Sequence, residues 1–110
     1  MKTEQIDKFK QEIEEEIERR HYNSLVYVLF DELNTAPFAI HIFYRDHLFM
    51  VNSRDDRSYV FGKTFEFTNF LEAKDKFFKL LDFIVREGRR DVAKRGSYMY
   101  PSPLWDDATE

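Results

Sequence analysis

Between Asn69 and Gly96 the chain carries an apolar stripe that commits much of the remaining sequence to covering it. At 100° per residue, Phe70, Ala73, Phe77, Phe78, Leu80, Leu81, Ile84 and Val85 fall together and fill roughly half the circumference of an α-helix. A stripe that wide belongs to a helix laid on a sheet. Asn69 and Glu72 have capping-box spacing, with Asn in place of the usual Ser or Thr, and mark its start. Gly88 is a natural terminator. Val92 nevertheless returns to the apolar face, so the pattern also allows a run to Gly96 with an internal Gly that costs about 1 kcal/mol. Two residues break the pattern. Lys74 lies inside the arc, where its stem packs and its amine snorkels to water. Phe83 lies outside it, to be covered by the tail or left for contact.

The segments before this helix supply the sheet. Leu25 to Phe30 is rich in β-branched and aromatic residues and apolar on both faces, as in a central strand. Asn34-Thr35-Ala36-Pro37 is a turn signal. In the strand from Phe38 to Arg45, Phe38, Ile40, Ile42 and Tyr44 share one face, and Ala39, His41, Phe43 and Arg45 the other. A tight turn near Asp46 leads to a strand over 48–53. The polar turn Arg54-Asp55-Asp56-Arg57, self-compensated in charge, leads to a last strand over 58–67, which Gly62 interrupts as a bulge would. Short connections of this kind predict an antiparallel meander. Ahead of it, Ile6, Phe9, Ile13 and Ile17 recur at helical spacing, with Thr3 as a candidate cap.

The predicted fold is therefore α+β: a four-stranded antiparallel meander with the N-terminal and C-terminal helices on one face, in the order α-β-β-β-β-α. Residues 1–110 read as one domain, with a core over 1–96 and an extended aromatic and Pro-containing tail over 97–110.

Composition narrows the function. Twelve Phe, six Tyr and one Trp are a large investment in packing and contact surface, while there is no Cys and only three His. That removes disulfides, thiol catalysis and thiolate metal sites. His21, His41 and His47 form no metal-binding spacing, and no nucleophile motif or Gly-rich phosphate loop is present. The sequence predicts a non-enzymatic binding protein without cofactor or metal. The N-terminal region lacks a signal peptide's apolar segment, and the longest apolar run is Leu25 to Phe30, far short of a membrane span. The expected location is the cytoplasm.

Two surfaces are candidates for contact. If Ile40, Ile42 and Tyr44 face the helices, then His41, Phe43 and Arg45 face outward, joined by Met50 and by Tyr27 or Val28. Such a mixture of aromatics, Arg and Met has interface composition. Its alternative is to be covered by Tyr98, Tyr100, Leu104 and Trp105 of the tail. Glu12, Glu15 and Glu16 lie in an acidic first helix and form a possible charged rim. A basic segment, Arg86 to Arg95, holds Arg86, Arg89, Arg90, Lys94 and Arg95 against Glu87 and Asp91. It admits a nucleic-acid reading, which the net charge of −4 and the lack of a nucleic-acid motif disfavour. Burial of the sheet face against a second copy, as a homodimeric adaptor, is a further alternative.

Asn52-Ser53-Arg54-Asp55-Asp56-Arg57, followed by Gly62-Lys63 and then Phe67-Thr68-Asn69-Phe70-Leu71-Glu72-Ala73-Lys74, resembles the meander-to-helix junction of immunity protein 59. That group belongs to bacterial polymorphic toxin systems. The likeness spans about residues 25–85 of the sequence. It implies a non-enzymatic inhibitor that binds a cognate toxin domain and blocks its active site or assembly.

Overall fold

The computed structural model describes residues 1–106, in the order α1 (Thr3–Arg19), β1 (Tyr27–Leu29), β2 (Ile40–Arg45), β3 (Leu48–Arg54), β4 (Val60–Phe67), α2 (Phe70–Arg95) and a 3-10 turn at Pro103–Asp106. The acidic end of the tail, 107–110, lies outside the described residues. The four strands form one sheet in the order β1-β2-β3-β4. The α+β class and the element order are as predicted.

Helix α2 begins where the cap residues place it. The Asn69 side-chain oxygen accepts the Glu72 N–H at 2.9 Å, and the Asn69 amide donates back to the Glu72 carboxylate. The helix passes through Gly88 and ends at Gly96, whose φ of 65° is the left-handed conformation a glycine cap adopts without strain. Gly88 serves packing instead. The Trp105 ring lies directly against it, so a Cβ there would fall inside the ring's van der Waals envelope. The first helix departs slightly from expectation. Thr3 is its first residue rather than its cap, and Lys2 occupies the cap position without a side-chain bond.

The sheet is a meander from β2 to β4. Asp46 and His47, at φ 53° and 65°, join β2 to β3 as a two-residue turn with both central residues left-handed, the type that matches strand twist. The turn from β3 to β4 is held by Asp55, whose carboxylate accepts the N–H groups of Arg57 and Tyr59 at 2.9 and 3.0 Å. Opposite Val51–Ser53, β4 spends the interval from Phe61 to Phe65, and Gly62 (φ 80°) takes up this bulge. The first pair differs from a simple meander: β1 runs parallel to β2, with Tyr27 opposite Ile40 and Leu29 opposite Ile42. The signal at Asn34 to Pro37 therefore lies within a ten-residue connection, 30–39, that returns the chain to the same end of the sheet. Phe30 and Phe38, at φ 52° and 66°, make its two corners.

Both helices pack on one face. Ile13 and Ile17 of α1 join Ile40, Ile42, Phe49, Val51, Phe77, Leu81 and Trp105 in the main core. Phe9 stacks on Phe70, with ring centroids 4.0 Å apart. Polar contacts pin α1 to α2. Lys74 reaches Glu12 and Glu16 at 3.6 and 3.2 Å, and Asp82 receives Arg20 and the Tyr22 hydroxyl at 3.1 and 2.7 Å. Burial and the bond to Asp82 push the Tyr22 hydroxyl up to about 12. Burial also raises the Glu16 carboxyl, but the bonds and charges of Lys74 and Arg20 outweigh it and leave Glu16 below the ordinary carboxylate value.

The tail docks, on the helix side of the molecule. Trp105 is 1% exposed, its Nε1–H donates to the Tyr100 carbonyl at 2.6 Å, and the Tyr100 hydroxyl accepts the Val26 N–H. The Arg89 guanidinium donates to the Leu104 carbonyl at 2.9 Å. The sheet face opposite the helices is thus left to other cover.

Candidate functional site

That opposite face brings together His41, Phe43, Met50 and Asn52, as strand alternation requires. Its residues are buried: His41 is 1% exposed, Phe43 5% and Met50 8%. The connection between β1 and β2 lies against them. His41 Nε2–H donates to the Asp31 carbonyl at 3.0 Å, and Arg45 bonds Glu32 at 2.8 Å while covering the Phe43 ring. Burial holds the His41 imidazole below its ordinary value. Its Nδ1 and the Oδ1 of its cross-strand neighbour Asn52 are buried without a hydrogen-bond partner among the described residues.

Tyr27 is not part of this patch. Val28 takes the place opposite His41, and Tyr27 turns to the helix side, half-buried against the main core. Burial, and then the nearby Glu14 charge, raise its hydroxyl above the ordinary value. Of the three acids predicted as a rim, Glu12 and Glu16 are engaged by Lys74, and Glu15 remains on the open face, bonded weakly to Gln11. The sequence-predicted anchors are therefore mostly interior, and the predicted rim is partly internal wiring.

Exposed aromatic surface lies instead at the β4 edge. Phe61 is 70% exposed, Tyr59 68% and Phe83 47%. Strand alternation sets Phe61, Lys63 and Phe65 on the helix side of β4, where Phe61 and Lys63 are exposed and Phe65 is half-buried. Together with Leu80, Phe83 and Ile84 of α2 they line an open apolar groove of about 490 Å³, with Ile40 at its base.

Arg54 lines it too, donating to the Ser58 carbonyl at 2.9 Å, and three further cations border it beside aromatic rings. Lys63 and Lys76 lie 4.9 and 4.0 Å from the Phe65 ring centre, and Arg86 lies 6.0 Å from that of Phe83. No carboxylate pairs with any of the three among the described residues, whereas nearby Asp75 pairs with Lys79 and Asp82 with Arg20. The sequence signal for this groove was Phe83 outside the helix arc, together with the alternation of Phe61, Lys63 and Phe65 beside Gly62.

The basic segment of α2 does not form one patch. Arg86 borders the groove, Arg89 holds the tail, and Arg90 pairs with Glu87. No group of acids and His is placed to hold a metal among the described residues, and no described helix is long and apolar enough to cross a membrane.

A small α+β protein with a tightly filled core and an aromatic groove along one sheet edge has the build of a contact protein. A sequence model of the family described as Immunity protein 59 matches residues 6–106, and the chain belongs to that family. Its general role is accordingly that of an immunity protein, which neutralises a toxin. No curated protein and no solved structure matched the chain.

Proposed function

We propose that this protein neutralises its cognate toxin by direct stoichiometric binding, with no chemistry of its own. The observation that carries this reading is the exposed cluster of Phe61 and Phe83 in a molecule whose other large aromatics are mostly packed inside. Solvent-exposed aromatics that line a common groove are the material of interface hot spots. Family membership supplies the class of partner, a toxin domain.

The test is co-expression with the product of the gene immediately upstream, scored for growth and for co-elution. Growth rescue with a one-to-one complex is the expected result. Rescue without a complex, accompanied by turnover of the toxin or its product, would refute direct binding.

A further inference from the structure

The groove between β4 and α2 has three properties that together specify an occupant. First, β4 is the outer strand of the sheet, hydrogen-bonded to β3 alone. The backbone groups on its other side face no strand among the described residues, and such an edge is a template for an added strand. The opposite edge differs, because the Val26 N–H just before β1 is taken by Tyr100 of the tail.

Second, the groove beside this edge is apolar and is walled by Phe61 and Phe83, one from the strand and one from the helix. Its volume lies within the ~300–1,000 Å³ typical of pockets that bury apolar groups. Third, the charged residues that line it, Arg54 and Lys63, are cations, and the acid that shares a surface hollow with Lys76 and Arg86, Asp82, is drawn to Arg20. Lys63, Lys76 and Arg86 are held on aromatic faces without carboxylate partners, while Glu66 lies two positions from Thr64 on the other face of β4.

We propose, resting on the direct-binding reading, that this groove is the toxin-docking surface and that an extended, acidic segment of the toxin occupies it. The segment adds a strand to the free edge of β4 and seats an apolar side chain between Phe61 and Phe83. Its carboxylates face Lys63, Lys76 and Arg86. A second copy of this chain fits less well. Symmetric pairing through the same groove would bring these three cations towards their own counterparts, and like charges brought together oppose association.

The test uses the full protein and the toxin domain that the co-expression experiment identifies, with affinity and association rate measured by surface plasmon resonance at two salt concentrations. Phe61→Ala and Phe83→Ala are each expected to weaken binding ~30-fold or more, the range of interface hot spots. Lys63→Glu combined with Arg86→Glu is expected to slow association ~10-fold or more and to flatten its salt dependence. Leu33→Ala removes another exposed apolar side chain, in the connection between β1 and β2, and is expected to change nothing.

Unaltered thermal midpoints confirm that the variants fold, as their exposure predicts. Wild-type binding that survives all the groove substitutions within about twofold would overturn the assignment while leaving direct binding intact. Failure of the wild type to bind would remove both. A dimer by light scattering that Phe61→Ala dissociates would give the groove to a second copy and overturn the toxin assignment.

Discussion

Replacing Gly88 by Ala tests the docking of the tail, because two effects of opposite sign meet at that residue. In an exposed helix the change would stabilise the protein by about 1 kcal/mol, the difference in helix propensity. Here a Cβ would collide with the Trp105 ring, which is 1% exposed and anchored through Nε1 to Tyr100. Overpacking of this kind costs ~1–3 kcal/mol, rising towards ~3–5 kcal/mol if the ring is expelled altogether. The steric effect wins, and a net loss of about 2 kcal/mol is expected. At ~2.1 cal/mol/K per residue over this chain, that loss lowers the thermal midpoint by about 9 °C.

Trp105 is the only Trp, so its emission reports the site directly. Urea unfolding followed by fluorescence and circular dichroism should therefore show reduced stability together with a red shift in the native emission. In a Trp105→Ala background the obstacle is gone, and Gly88→Ala should stabilise by about 1 kcal/mol. The sign of one substitution thus reverses with the partner, and the coupling amounts to about 3 kcal/mol. If Gly88→Ala stabilises the otherwise unaltered protein, or acts with the same sign in both backgrounds, the close approach of Trp105 to α2 is refuted.

Phe43→Asp should lower stability by ~3–5 kcal/mol, because it puts a charge where a ring lies 5% exposed between His41 and Arg45; a midpoint unchanged within a degree or two would return Phe43 to the surface. His41 should impose a pH dependence. Its folded value is depressed by burial, so the unfolded chain binds the proton more readily, and stability is full above the ordinary value of 6.5 and declines as pH falls below it. Urea midpoints measured from pH 8 to pH 5 should show that decline, and His41→Gln should flatten it; an identical slope in the variant would mean that other groups carry the effect.

What the sequence disclosed followed the range of the interactions involved. The apolar arc of α2, its Asn69 cap and the turn near Asp46 are set by residues within a few positions of one another, so their spacing was readable. The direction of β1 was not. The turn residues from Asn34 to Pro37 have the chemistry of a hairpin, and the features that make the connection a crossover lie elsewhere. These are the left-handed corners at Phe30 and Phe38 and the bond from His41 to Asp31. The same contact explains why His41, Phe43 and Met50 looked like surface. Alternation fixes which face a strand residue occupies, but not what lies over it. Gly88 resembled a helix end because local propensity carries no trace of a Trp seventeen positions later. The groove was half legible. Phe83 stood out of the arc, but only the fold brings it opposite Phe61.

The seating of Trp105 against Gly88 has a consequence for synthesis. Residues 98–106 close the core from outside, holding the Val26 amide through Tyr100 and capping the last turns of α2. A nascent chain that has released everything up to Gly96 from the ribosome still lacks this closure, as does a product cut or terminated near that point. Closure of the core is thereby tied to synthesis through residue 105. A fragment that lacks this stretch leaves Gly88 and the Val26 amide without these contacts, and it should be cut by proteases faster than a chain that carries it.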